Sequence, residues 1–554
     1  MPIVFRDGLL YLGGGRFERG SLAVDGDRIA AIALDVDDPT ADLGTFGALD
    51  FGGADVVDLE GGTLLPGFQD AHVHPLFAGS SLLGIDLSEV HDRDEYLRII
   101  AAYSAAHPDD EVLEGACWFG DVFEGGFPRA DLLDAVVPDR PIVLLSHDFH
   151  GAWVNTVALD RAGITRATPD PADGRILREA DGTPTGMLID GAVGLLSPIL
   201  PERTEEFSRR ALLAAQHRMH AVGITAWQDA AVGESDLGPD AFPVYEGLAR
   251  AGELTGRVVA ALWWDRGRGV EQIDDLLERR ERARQTGWFD AGTVKVMQDG
   301  MVENGTAALL DPYCGRGEDR GIAFLEPDVL AELSRRLDAE DFQIHYHAVG
   351  DRAVRDCLDA VATTRAAHGE RGNRHHIAHL DLVDPADAPR FAELDVSANV
   401  TALWARRDEE ILTRKLPLLG ADREPRHFPF QSLHTAGARL VGGSDWPVTD
   451  PNPLWSVYTA VTRMASRGDV HAVGADACTV PLGPAEALDY GTALDAYLTG
   501  AAYVNRLERE TGRLAVGLAA DLVWLDRDIS SVDALGAARV RQTWVGGSSV
   551  YAAT

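Results

Sequence analysis

From about residue 66 the chain alternates apolar runs of five to eight residues with helical stretches of ten or more, which restricts it to parallel α/β folds. The runs that read as strands are LPGFQDAHVH (65–74), VGITAWQD (222–229), RVVAALWW (257–264), GTVKVMQDG (292–300), FQIHYHAVG (342–350), HHIAHLDLV (375–383), DVSANVTAL (395–403) and ARLVGGSDW (438–446). Eight strands, with amphipathic stretches such as SRRALLAAQHRMHAV and RAVRDCLDAVATTRAA between several of them, predict a TIM-like (β/α)8 barrel over residues 66–499. Residues 76 to about 205 are too many for one loop and contain a further strand, PIVLLSHDF, so they predict an inserted subdomain near the barrel mouth. Short strands and Asp-Gly or Gly-Gly turns fill residues 1–65, and strand texture returns over 500–554. The two ends are expected to pair into one small composite β-sandwich domain.

Composition excludes several classes of partner. The 88 Asp and Glu outnumber the 50 Lys and Arg, a formal charge of −38, so neither nucleic acid nor an anionic membrane surface is an expected partner. The four cysteines, Cys117, Cys314, Cys357 and Cys478, lie far apart and suggest neither a disulfide framework nor a thiolate zinc site. No signal-peptide pattern opens the chain and no apolar run is long enough for a membrane helix, so a cytoplasmic protein is expected.

The strongest local signal is His72-Val73-His74 at the end of the first run. In a strand, residues two apart share a face, so both imidazoles are expected inside the barrel at its C-terminal rim, where two of them suit a divalent metal. The other runs bring Lys295, His347, His379 and Asp445 to the same end. A lysine in an apolar strand requires either a carboxylate partner or a modification that removes its charge. His345 shares a strand face with His347 and competes with it.

With this set the chain resembles the amidohydrolase superfamily, and within it the branch of the N-substituted formamide deformylases, amidohydrolase family 3. The resemblance rests on LPGFQDAHVH, VKVMQDG, HYHAVGDRA, IAHL and GSDWPV, on SHDFHGAWVNTVAL in the insertion and on TGRLAVGLAADLVWLD near the C-terminus, spanning about residues 62 to 528. Two departures are Ala378, where the branch often has Glu, and Gln69 in the approach to His72. The resemblance implies that His72, His74 and Asp445 bind one metal and His347 and His379 a second, with carboxylated Lys295 bridging them. Zn²⁺ or a similar divalent ion, two per chain, is implied. Metal-bound hydroxide would attack, and Asp445 would be the catalytic residue that takes its proton and passes it to the leaving amine.

The implied activity is hydrolysis of a carbon–nitrogen bond other than a peptide bond, in a linear amide such as an N-substituted formamide or an N-acyl amine. Hydrolysis of an ester, lactone or cyclic imide on the same centre is the alternative. A non-catalytic binding protein is a remote third reading, against which the complete ligand set argues. The expected partner is a small-molecule substrate, and homo-oligomers are common in the superfamily. His150, Trp153, Asn155, Asp299 and Trp446 are candidates for the pocket wall. All but His150 also have a structural reading: a packed Trp for Trp153 and Trp446, a capping Asn for Asn155, or an Asp-Gly turn at 299–300. By alternation, one of Trp263 and Trp264 is expected at the site and the other in the core.

Overall fold

The computed structural model describes residues 2–34, 53–171, 174–234 and 238–553. Its centre is a parallel sheet of eight strands in chain order: Phe68–Val73, Ile224–Val232, Arg257–Trp263, Phe289–Met297, Gln343–Ala348, His376–His379, Ser397–Val400 and Leu440–Gly442. Each overlaps one of the eight apolar runs; the second strand extends past its run to Val232 and the fourth begins before its run, at Phe289. Nearly every residue of these strands is buried, because helices cover the outer face and opposing strands fill the inner one.

The helix Glu205–Ala221, which leads into the second strand, shows how the local sequence sets the packing. Thr204 caps it by accepting the Phe207 N–H, Glu205 and Glu206 occupy its positive end, and Ala211, Leu212, Ala215 and Met219 form the face buried against the barrel.

The barrel closes by few contacts. The Asp445 N–H donates to His72 O and the His74 N–H to Trp446 O, each at 2.8 Å, joining the chain just beyond the eighth strand to the first. Asp70 reinforces the seam by accepting the His72 N–H at 3.0 Å and the Ser444 N–H at 3.1 Å. Asn399 on the seventh strand adds a bond to Ala71 O at 3.0 Å.

Between the first two barrel strands lies a second sheet, of six strands: Ile85–Asp86, Leu113–Trp118, Ile142–Ser146, Gly151–Val154, Gly174–Arg178 and Pro184–Asp190. Its antiparallel turn from Ser146 to Gly151 presents Asp148, Phe149 and His150. A third sheet takes strands from both ends of the chain. Leu522–Leu525 pairs antiparallel with Thr63–Pro66, which in turn lies beside Ile3–Tyr11. Both chain ends are thereby tied to the segment that enters the first barrel strand. Among the described residues, no helix is long and apolar enough to cross a membrane.

Candidate functional site

The first barrel strand ends in alternation: Val73 packs into the apolar core while His72 and His74 turn inward, their ring centroids 5.3 Å apart. Across the seam Asp445, in the left-handed region at φ 57, receives both. Its Oδ1 is 3.2 Å from His72 Nε2 and 3.1 Å from His74 Nε2. One ligand atom from each of the three lies within 4.8 Å of the others. Lys295 Nζ approaches His72 Nε2 to 3.4 Å. His379, also left-handed at φ 80, stands with its Nδ1 3.8 Å from Asp445 Oδ2 and its ring 4.2 Å from that of His347. All six side chains line one cavity of about 60 Å³ at the C-terminal rim. Two of them, His379 and Asp445, are non-glycine residues at positive φ, a backbone cost of order 1–3 kcal/mol each that concentrates at functional sites.

Burial sets the electrostatics of this cluster. Removal from water pulls Lys295 down to about 7, with Asp445 opposing, so a neutral amine is accessible near neutral pH. Burial and the nearby Lys295 bring His72 down to about 3, and burial holds His347 and His379 well below the usual imidazole range. Burial alone would raise Asp445, but His72, His74 and His379 hold its carboxyl well below the usual carboxylate range. His347 Nε2 and His379 Nδ1 are buried without a hydrogen-bond partner. Neutral imidazoles with bare nitrogens facing an ionised carboxylate form a donor set suited to a cation.

Residues 55–551 match the model of the amidohydrolase family. The chain belongs to that family. This amidohydrolase is a hydrolase acting on carbon–nitrogen bonds. It is similar to the protein LONG AFTER FAR-RED 3 of Arabidopsis thaliana, with 30% identity over 504 residues, 89% of this chain and 83% of that protein. It is 26% identical over 501 residues to the N-substituted formamide deformylase of Arthrobacter pascens, covering 86% and 85% of the two chains. Its fold is similar to that of an uncharacterised metal-dependent hydrolase from Pyrococcus horikoshii OT3, with a TM-score of 0.70, 23% identity and coverage of 95% and 98%.

The insertion roofs the amidohydrolase's cavity. Asp148, Phe149 and His150 line it from above. His150 is held at Nδ1 by Asp190 Oδ1 at 2.9 Å, and its own N–H donates to Asp148 Oδ1 at 3.0 Å. Burial works against a charge on His150, but Asp190, Asp148 and Glu303 outweigh it and push the imidazole up to about 9. Phe149 and Asp190 both adopt positive φ, 60° and 50°, so the turn and its partner strand hold this pair in strained backbone. The remaining walls are apolar: Phe77, Trp263, Met297, Met301 and Trp404. Of the tandem tryptophans, Trp263 lines the cavity and Trp264 lies in the core.

Four residues expected at the pocket wall do not line the cavity. Trp153 is fully buried in the core of the inserted sheet and donates Nε1–H to Arg129 O. Asn155 caps the helix Thr156–Arg161 and bonds the carbonyls of Val137 and Arg140. The change of chain direction explains both, because the turn that aims His150 at the mouth carries the following strand away from it. Asp299 lies under the rim and accepts three main-chain N–H groups, from Val349, Gly350 and Ala308, at 2.8 to 2.9 Å. Trp446 packs in the main core beside the seam. His345 lies one layer below His347, with its Nε2 3.0 Å from His72 Nδ1.

Sequence reasoning did not reach Asp190, Phe77, Met297, Met301 or Trp404. Apolar residues at loop starts carry no signal that separates wall from core, and Asp190 is joined to His150 only through the pairing of two strands. A larger cavity, about 560 Å³, opens at the opposite end of the barrel near Arg257 and Trp288 and contains none of the six clustered groups.

Proposed function

We propose that this amidohydrolase cleaves a small linear amide, an N-substituted formamide or N-acyl amine with an apolar substituent. The observation that carries the reading is the convergence of His72, His74, Lys295, His347, His379 and Asp445 on one buried cavity. The donor set fits Zn²⁺ or a similar divalent ion, since imidazole and carboxylate donors meet there and three imidazole nitrogens, His74 Nδ1, His347 Nε2 and His379 Nδ1, lack a hydrogen-bond partner. His72, His74 and Asp445 would hold one ion and His347 and His379 a second, with Lys295 carboxylated between them. In that modification carbon dioxide adds to the neutral amine, an N–C bond forms and one proton leaves. When bound, the metal supplies Lewis acidity toward the scissile carbonyl and activates water near neutral pH.

Asp445 takes a proton from the attacking water onto a carboxylate oxygen and returns it to the leaving nitrogen. His150, with Nδ1 engaged by Asp190, keeps Nε2–H as a donor for the acyl oxygen, where negative charge develops. Phe77, Phe149, Trp263, Met297, Met301 and Trp404 receive the substituent and exclude water. The likeness to a formamide deformylase supports an amide substrate.

The test is elemental analysis of protein purified without chelator, beside Lys295→Ala, followed by a panel of aromatic formamides, N-acyl amines, esters and lactones. About two metal equivalents per chain, reduced in the variant, with turnover of the amides, is the expected result. Metal-free protein with unmodified Lys295, or activity confined to esters and lactones, overturns the reading.

A further inference from the structure

Barrel interiors are ordinarily filled by branched apolar side chains. Here the layers beneath the clustered ligands are polar: Gln69, Gln228, Thr293, Gln343, His345, His376 and Asn399 are all at most 2% exposed. Their hydrogen bonds form a chain whose polarity can be solved from its ends.

At the bottom of the barrel, Gln343 Nε2 lies 2.8 Å from Arg374 O and 2.9 Å from Val504 O. Main-chain carbonyls only accept, so the Gln343 amide nitrogen is fixed there. Its Oε1 therefore faces Thr293 Oγ1 at 2.7 Å and Gln228 at 3.2 Å. That oxygen also only accepts, so Gln228 must offer its Nε2, which turns Gln228 Oε1 upward. It meets His345 Nδ1 at 2.7 Å and His376 Nε2 at 3.0 Å, and both nitrogens must donate to it.

A neutral imidazole carries one N–H, so His345 Nε2 is bare and accepts from His72 Nδ1 at 3.0 Å. His72 is thereby protonated on Nδ1, and its Nε2 lone pair is left facing Asp445 and Lys295. A second anchor agrees. Asn399 Nδ2 donates to Ala71 O at 3.0 Å and reaches His376 Nδ1 at 3.2 Å, which makes that nitrogen an acceptor and puts the His376 proton on Nε2. His345 and His376 are fully buried and their hydrogen-bond partners are Gln228, His72 and Asn399, with no carboxylate among them, so neither has a counter-ion to hold a second proton.

We propose that Gln343 and Gln228 are positioning residues that act through His345 to fix which nitrogen of His72 is bare, so that two backbone carbonyls at the closed end of the barrel orient a metal ligand at its open end. The consequence for metal affinity rests on the metal-dependent reading above; the tautomer assignment does not.

The experiment is ¹⁵N-histidine NMR on the metal-free full-length chain, followed by Zn²⁺ titration, for the native protein and Gln228→Met, Gln228→Glu and Thr293→Val. The native His72 is expected as the Nδ1–H tautomer. Gln228→Met is expected to mix the tautomers and weaken Zn²⁺ binding by roughly 10- to 100-fold. Gln228→Glu, kept protonated by burial without a cationic partner, donates O–H to Gln343 while its carbonyl accepts from both histidines, and is expected to keep the native tautomer. Thr293→Val breaks a bond of the same network but leaves Gln343 anchored, so it is expected to keep it too.

A native His72 protonated on Nε2 overturns the proposal. So does Gln228→Met with unchanged tautomer, or Thr293→Val disturbing it as much as Gln228→Met does. If Gln228→Met does not fold, the native, Glu and Val spectra still decide. If the native chain shows the Nδ1–H tautomer but binds no Zn²⁺, the metal-dependent reading fails and the tautomer relay stands.

Discussion

Asp190 grips Nδ1 of His150 at 2.9 Å, and both residues come from the inserted sheet although His150 lines the cavity of the barrel. This pairing makes the first prediction one of pH. His150 in the folded chain is pushed up to about 9, against about 6.5 for an unconstrained imidazole. Its contribution to stability is therefore fully present below about pH 6.5 and is lost as the pH rises through about 9. Denaturant unfolding of native protein and His150→Gln should differ most near pH 6 and converge by about pH 10. Turnover should fall on the alkaline side of about pH 9, and Asp190→Asn should move that limb to lower pH.

Asp445→Asn removes the group that moves the proton while keeping the side-chain volume. Turnover is expected to drop by about 10²- to 10⁴-fold, the range usual for loss of general acid–base help, with the circular dichroism spectrum unchanged. Activity within tenfold of native would remove the assigned role.

The apolar walls predict selectivity. Trp263→Ala should raise KM for an aromatic-substituted formamide far more than for unsubstituted formamide, because only the larger substrate loses contact area, at roughly 25 cal/mol per Å². Equal effects on both substrates would show that this wall does not bind the substituent.

Asp299 predicts a loss of stability with little direct effect on chemistry. Its two oxygens serve three main-chain donors, and Asn supplies only one oxygen. Asp299→Asn should cost about 3 kcal/mol in urea unfolding, since it leaves a buried N–H facing an amide NH₂. A change below about 0.5 kcal/mol would mean the clip is dispensable.

The barrel strands were legible because fully buried parallel strands are continuous apolar runs, a texture that survives without tertiary information. His72 and His74 were legible for a related reason: period-two alternation puts both on one face, and both Nε2 atoms lie near Asp445 Oδ1, at 3.2 and 3.1 Å. Trp153 and Asn155 misled because three and five residues separate them from His150 across a change of direction, and alternation fixes faces only within a strand. Asp190, Gln228 and Gln343 carried no signal. A glutamine in a strand reads as an exposed position, and Gln228 becomes informative only when Gln343, 115 residues away, is seen beside it.

The seam of the barrel also orders events during synthesis. Asp70 and Ser444, which clip it, are 374 residues apart, and the ligand cluster straddles the same joint. A nascent chain displays His72 and His74 early but cannot bring Asp445 to them until the eighth strand has left the ribosome. A product broken off before that strand would keep most of the barrel's apolar surface and both of those imidazoles, yet have no carboxylate to complete the cluster. Closure of the cluster would then mark a chain synthesised past its eighth barrel strand.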